Sequence, residues 1–214
     1  MLNLYSYFRS SASYRVRIAL QLKAVAFNTI PVHLLNDGGQ QHSVRYLEIN
    51  PEGLVPALEE EGHVLTQSLA IIEYLDEEYG GPSLLPKDAL GRARARSLAL
   101  QIACEIHPVN NLRILDYLRQ SLKLDKLEVQ HWYRRWISEG FRTLEIRLQS
   151  PETGSCCHGD VPGMADCCLI PQVYNARRFE VDLSPFPNIV RVADHCESLP
   201  AFQAAHPDRQ PDAP

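Results

Sequence analysis

The stretch YSYFRSSASYRVRIAL, Tyr5 to Leu20, passes from a strand pattern to a helix pattern, with Arg9, Ser10, Ser11 and Ser13 at the junction. A helix N-terminus offers unpaired N–H groups and a partial positive charge, which suit an anion. Some α/β folds place a reactive Cys-x-x-Cys pair at such a junction. Here the equivalent stretch reads Ser10-Ser11-Ala12-Ser13. A serine hydroxyl is a poor nucleophile without a base, and none is adjacent. It is a good donor to an anion that comes from elsewhere. Ordinary helix capping would use the same serine.

Two further segments add to this. In GLVPALEE, a Val55–Pro56 bond just before a strand is often cis, which would expose the backbone groups of Val55 to a peptide-like ligand; a trans proline opening the strand reads equally well. In TQSLAII, Gln67 and Ser68 begin a helix, so the Ser68 hydroxyl and nearby N–H groups can hold a carboxylate or simply cap the helix. Sites for a thiolate, a peptide backbone and a carboxylate together describe glutathione.

Around these segments the elements alternate. LNLYSY is a strand pattern, and SYRVRIALQLK is an amphipathic helix with Val16, Ala19, Leu20 and Lys23 on one stripe. FNTIPVHL is a strand, with Pro31 marking an edge or an end. SVRYLEIN is a short helix before Pro51, and VPALEEEGHVLTQS is a pair of strands turning at Glu61-Gly62. SLAIIEYLDEEYG is a helix closed by Gly80-Gly81. The order is β-α-β-α-β-β-α. The linker YGGPSLLPKDAL follows, and strand signals are scarce beyond it. A helical pattern is expected to kink at Pro108, and a long helix covers DKLEVQ to RLQS. PETGSCCHGDVPG is a loop, further helices follow, and HPDRQPDAP is expected to be a loose tail. The division is residues 1–80, an α/β domain, and 88–214, an all-α domain.

The chain has 214 residues and a formal charge of −5. No basic run with interleaved aromatics points to nucleic acid. No window approaches 18 uninterrupted apolar residues, and MLNLYSYFRSS lacks the pattern of a secretory leader, so a cytoplasmic protein without a membrane partner is expected. Six cysteines, Cys104, Cys156, Cys157, Cys167, Cys168 and Cys196, then suggest reduced thiols rather than disulfides. Their adjacent doublets do not match zinc spacing, so no metal is expected.

SSASYRVRIAL resembles the S-S-C-x-R-V-R-I-A-L type motif of zeta-class glutathione transferases. NPEGLVPAL, QSLAIIEYL, HPVNNLRIL, MADCCLIPQV and RRFEVDL resemble family segments in the same order, over nearly the whole chain. Two departures stand out: Ala12 replaces the family's common cysteine, and Gly163 stands where Thr or Ser often caps the helix of MAD. The resemblance implies a thioredoxin-like N-terminal domain followed by an all-helical domain, in a homodimer. It implies glutathione held by Ser10, Ser11, Gln41, Val55, Pro56, Gln67 and Ser68, with His107 and Asn111 from the helical domain. Ser10 is the first choice of thiolate donor and Ser11 the second. Arg9, Arg113 and Arg178 are the candidates for binding an acidic substrate. Read alone, His107 would be structural and each arginine a surface charge. The implied activity is glutathione-dependent cis–trans isomerisation of maleylacetoacetate to fumarylacetoacetate in phenylalanine and tyrosine (homogentisate) catabolism. Maleylpyruvate of the gentisate pathway, or general glutathione transfer, are the alternatives. The absence of a cysteine at the helix mouth follows from this chemistry: the thiol belongs to glutathione, so the protein supplies donors and a cation.

Overall fold

A computed structural model describes residues Met1–Pro214. Four strands, β1 (Leu2–Ser6), β2 (Phe27–Pro31), β3 (Ala57–Glu60) and β4 (His63–Thr66), form one sheet in the order β2-β1-β3-β4. β1 and β2 are parallel, and β3 pairs antiparallel with both β1 and β4. β2 is an edge strand ending on Pro31, as the proline suggested. The β3–β4 turn has positive φ at Glu61 (50°) and Gly62 (83°), the conformation that matches the twist of a tight hairpin. The helices α1 (Ser11–Leu22), α2 (Val44–Ile49) and α3 (Ser68–Glu78) complete the expected order.

α1 departs from the amphipathic expectation. It packs against both α3 and a late helix, α9 (Pro200–Ala205), so no face is left to water, and Arg15 and Arg17 are buried with the apolar residues. Arg17 is fully enclosed, and its guanidinium is spent on three backbone carbonyls and one hydroxyl. Its Nε donates to Ala205 O at 3.1 Å, and its terminal nitrogens donate to Ser6 Oγ (3.1 Å), Tyr7 O (3.4 Å) and Phe8 O (2.8 Å).

The chain forms two compact units, Met1–Leu85 with Ser198–Pro214, and Pro86–Glu197. The last residues are not the loose tail expected from their composition. Pro207 is buried in a short 3₁₀ turn, Ala213 packs against the cluster of Tyr7, Phe8, Val32, Tyr46 and Val55, and Asp212 accepts the Phe8 N–H at 2.8 Å. Tertiary partners order a segment whose own composition would not.

The Pro86–Glu197 unit contains α4 (Ala89–Leu100), α5 (Leu112–Gln120), α6 (Lys126–Arg147), α7 (Met164–Arg178) and α8 (Pro187–Glu197). The break expected at Pro108 is wider than one kink: a π-helical turn, Gln101–Ile106, is followed by a 3₁₀ turn, Pro108–Asn110. α6 crosses the π turn at Gly140, where a Cβ would lie 2.3 Å from Ile106 Cγ1, so only glycine allows that approach. α7 is buried on nearly every face, which its apolar run MADCCLIPQV demands. No helix is long and apolar enough to cross a membrane.

Candidate active site

β1 delivers the chain into the turn Tyr7–Ser10, and Ser10 caps α1. Its backbone is extended and its Oγ accepts the Ser13 N–H at 3.3 Å. Ser10 is half-buried and Ser11, the first residue of α1, is buried. The capping bond uses only an oxygen lone pair, so the Ser10 hydroxyl proton is free to be donated. Arg9 lies over the Tyr7 and Phe8 rings, 5.9 and 5.4 Å from their centroids, and donates to Tyr7 Oη at 3.3 Å. Two aromatic faces therefore fix the cation beside the helix mouth.

The apolar cluster of Tyr7, Phe8, Val32 and Tyr46 includes one more of the expected residues of this unit. Val55 belongs to it, and the Val55–Pro56 bond is cis. Tyr46 Oη (2.6 Å) and Asn50 Nδ2 (2.8 Å) both donate to Leu54 O, which fixes the approach to Val55. Burial pushes the Tyr46 hydroxyl up to about 12, so it remains a donor at neutral pH. Gln41 sits in a 3₁₀ turn, Gln40–His42, with its Nε2 3.5 Å from Leu34 O and its Oε1 buried without a donor from the chain. Gly39, at φ +96°, lies against the Gln41 amide so closely that a Cβ would fall 2.5 Å from Nε2.

Gln67 takes φ +68° at the mouth of α3, and Glu52 holds its amide at 2.9 and 3.2 Å. Ser68 is buried and its Oγ accepts from Arg15 Nη1 at 3.2 Å, which leaves its own proton available. Arg15 was absent from the candidates, because at sequence level it reads as the polar face of α1. Its burial next to Ser68 is visible only once α3 packs on α1. A surface cleft lined by Leu2, Lys23, Glu60 and Tyr79 lies at the opposite end of β1 from this cluster.

In the helical unit, His107 follows the π turn and donates its N–H to Ile102 O at 2.9 Å. Asn111 caps α5 through the Arg113 N–H at 3.3 Å. Arg113 is exposed on the first turn of α5. Arg178 is exposed in the last turn of α7, 4.6 Å above Phe179, which itself stacks on Tyr133 at 3.6 Å.

Five of the six cysteines are buried. Cys156, Cys196 and Asp166 bring ligand atoms within 4.8 Å of one another, but both Asp166 oxygens accept backbone N–H groups, from Cys157 (2.8 Å) and Gly163 (2.9 Å). The arrangement is the start of α7, closed by its own acid. Burial and the Asp166 charge push the Cys157 thiol up, and its contact with Cys156, burial and Asp166 do the same to Cys196, so both are protonated and unreactive.

A β2-β1-β3-β4 sheet followed by a helical unit is the glutathione transferase fold, with a thioredoxin-like N-terminal domain. Residues 4–83 match the family "Glutathione S-transferase, N-terminal domain". Maleylacetoacetate isomerase of Pseudomonas aeruginosa is 47% identical, covering 100% of this chain and 99% of its own length. The holo structure of a maleylpyruvate isomerase, described as a bacterial zeta-class glutathione transferase, is 46% identical with a TM-score of 0.96 over 99% of this chain and 100% of that one. A crystal structure of maleylacetoacetate isomerase from Methylobacterium extorquens AM1 with bound malonate and glutathione is 41% identical, with a TM-score of 0.95 over 99% of both chains. This chain belongs to the zeta class of glutathione transferases.

Proposed function

We propose that this protein is a maleylacetoacetate isomerase that uses glutathione as its cofactor. The observation that carries the reading is the mouth of α1, where an aromatic-held arginine and a capping serine with a free proton stand in place of any thiol. The full-length likeness to the Pseudomonas enzyme supports it, as does the glutathione-bound relative.

The residues fit the cofactor. The buried, donorless Gln41 Oε1 suits a peptide N–H, and Ser68 at the start of α3 suits a carboxylate. Glutathione supplies, when bound, a thiol whose reversible addition to the conjugated double bond turns it into a single bond that can rotate. Ser10 would donate a hydrogen bond from its hydroxyl to the sulfur, and the N–H groups of α1 would add partial positive charge, both lowering the thiol's pKa from about 8.5. Ser11 is the second-choice donor. Val55 and Pro56 present backbone to the peptide, and Gln67, His107 and Asn111 complete the cofactor contacts. Arg9, Arg113 and Arg178 take the substrate carboxylates, which a planar guanidinium grips bidentately. Arg9 also balances charge that develops on the substrate oxygen. The family supports a cytoplasmic homodimer acting in phenylalanine and tyrosine catabolism.

The likeness to maleylpyruvate isomerase is equally full-length, so maleylpyruvate is the second reading for the substrate. The test is to assay both acids with purified protein stripped of glutathione and then with glutathione restored. Turnover should vanish and return, with maleylacetoacetate the better substrate and the glutathione concentration unchanged at the end. Full activity of the stripped protein would end the reading.

A further inference from the structure

The turn that carries Arg9 and Ser10 is held from behind by a segment almost two hundred residues later in the chain. The Tyr7–Ser10 backbone is anchored at three points. Arg17 donates to Tyr7 O (3.4 Å) and to Phe8 O (2.8 Å), and the Phe8 N–H goes to Asp212 Oδ2 (2.8 Å). Arg17 in turn is tied to Ala205 O, so residues 205–212 support the turn both through the buried guanidinium and directly. Asp212 is itself presented on a turn closed by Ala213 N donating to Gln210 O at 3.0 Å. That turn is fastened by Gln210 Nε2 to His206 O (2.8 Å) and Ala204 O (3.1 Å), and by Ala213 on the cluster of Tyr7, Phe8 and Val55.

We propose that Asp212 is a positioning residue: its carboxylate holds the Phe8 N–H and thereby fixes where Arg9 and Ser10 stand. The inference rests on the reading of Ser10 and Arg9 given above. Its physical basis is that catalytic groups tolerate little displacement, a misplacement of about 1 Å costing on the order of a hundredfold. A carboxylate–N–H bond is among the stronger restraints a loop can have. Asp212 Oδ1 is buried without a donor from the chain, so the carboxylate is held to the protein through Oδ2 and the Phe8 N–H. Arg9 transmits the restraint directly, since it lies on the ring of the residue whose N–H is held.

Position and charge make opposite forecasts. Loss of a nearby negative charge alone would favour thiolate and lower the pKa of the bound thiol. Loss of the restraint lets Ser10 drift from the sulfur and raises it. The experiment compares Asp212→Ala, Asp212→Asn and Asp212→Glu in the full-length protein. It measures kcat, the pH titration of bound glutathione thiolate by its ultraviolet absorbance, and hydrogen exchange at the Phe8 amide. Alanine should speed Phe8 exchange, lower kcat by roughly three- to thirtyfold and move thiol ionisation to higher pH. Asparagine, which keeps an acceptor in place, should recover most of both. Glutamate keeps the charge but shifts the acceptor, so it should be impaired, and it answers the question if the alanine variant fails to fold. Wild-type kcat and thiol ionisation in a folded alanine variant, or in glutamate, would overturn the proposal. So would ionisation moving to lower pH. Ser10→Ala is titrated alongside: an unchanged thiol there, with a shift in Asp212→Ala, removes the role of Ser10 and leaves Asp212 acting through Arg9.

Discussion

Ser10 shows how one hydroxyl serves two purposes. As an acceptor it caps α1 through the Ser13 N–H, at a long 3.3 Å, and as a donor it still has its proton. Capping and thiolate stabilisation, which compete as readings of the sequence, are compatible in the structure. Ser10→Ala should lower turnover by roughly tenfold to a thousandfold, the scale for losing a positioned donor, and should cost about 1 kcal/mol of stability from the lost cap. Ser11→Ala should cost less turnover. Steady-state kinetics and thermal melts of the two variants check this, and the opposite order would make Ser11 the donor. At this scale the sequence was informative wherever partners are close in the chain: Arg9, Ser10 and Ser11 occupy one motif. It was silent on Arg15 and Arg17, since arginines in a helix normally face water, and on Asp212, whose partner is at the other end of the chain.

The start of α7 is half of a capping box. Asp166 accepts the Gly163 N–H at 2.9 Å, but Gly163 has no side-chain oxygen to return the favour to the N–H of the third residue. Its φ of −140° is open to any residue. Gly163→Thr should therefore stabilise the protein by a few tenths to about 1 kcal/mol, seen as a higher melting temperature without change in kcat. α6, by contrast, has a full box between Asp125 and Glu128. Elements with a local cause were legible: the β3–β4 hairpin from Glu61-Gly62, the end of α2 from Pro51, and the end of β2 from Pro31. The faces of α1 were not. Periodicity reports which side prefers the core and cannot report that a second helix will cover the other side. The π turn before His107 also has no local signal; its Ile106 meets Gly140 of α6, a residue remote in the chain.

Stability of the whole molecule should depend on pH through Glu60. Tyr74 donates to its Oε2 at 2.5 Å and Tyr79 donates to its Oε1, and these bonds hold the Glu60 carboxyl below its ordinary value near 4.5. Chiefly the bond to Glu60 raises the Tyr74 hydroxyl to about 12, and burial, followed by its own bond to Glu60, raises that of Tyr79. Glu60's contribution is fully present above about pH 4.5 and fades as pH falls through its lowered folded value. The tyrosines contribute fully below about pH 10 and lose this as pH rises through their raised values. Tyr74→Phe/Tyr79→Phe should cost about 1 kcal/mol at pH 7 and progressively less at either extreme, read from denaturant midpoints across pH. An equal cost at every pH would assign the loss to packing instead.

The grouping of Ser198–Pro214 with Met1–Leu85 also constrains biosynthesis. On the ribosome, the first unit emerges early without its last segment, because Ala205 and Asp212 are made only after Pro86–Glu197. Until then the Arg17 guanidinium and the Phe8 amide lack their final partners. The four strands can pair early, but α1 waits for its α9 cover and for the hold on the Phe8 amide while the helical unit is translated, so a chain terminated before Ala205 would carry the motif with its supports missing.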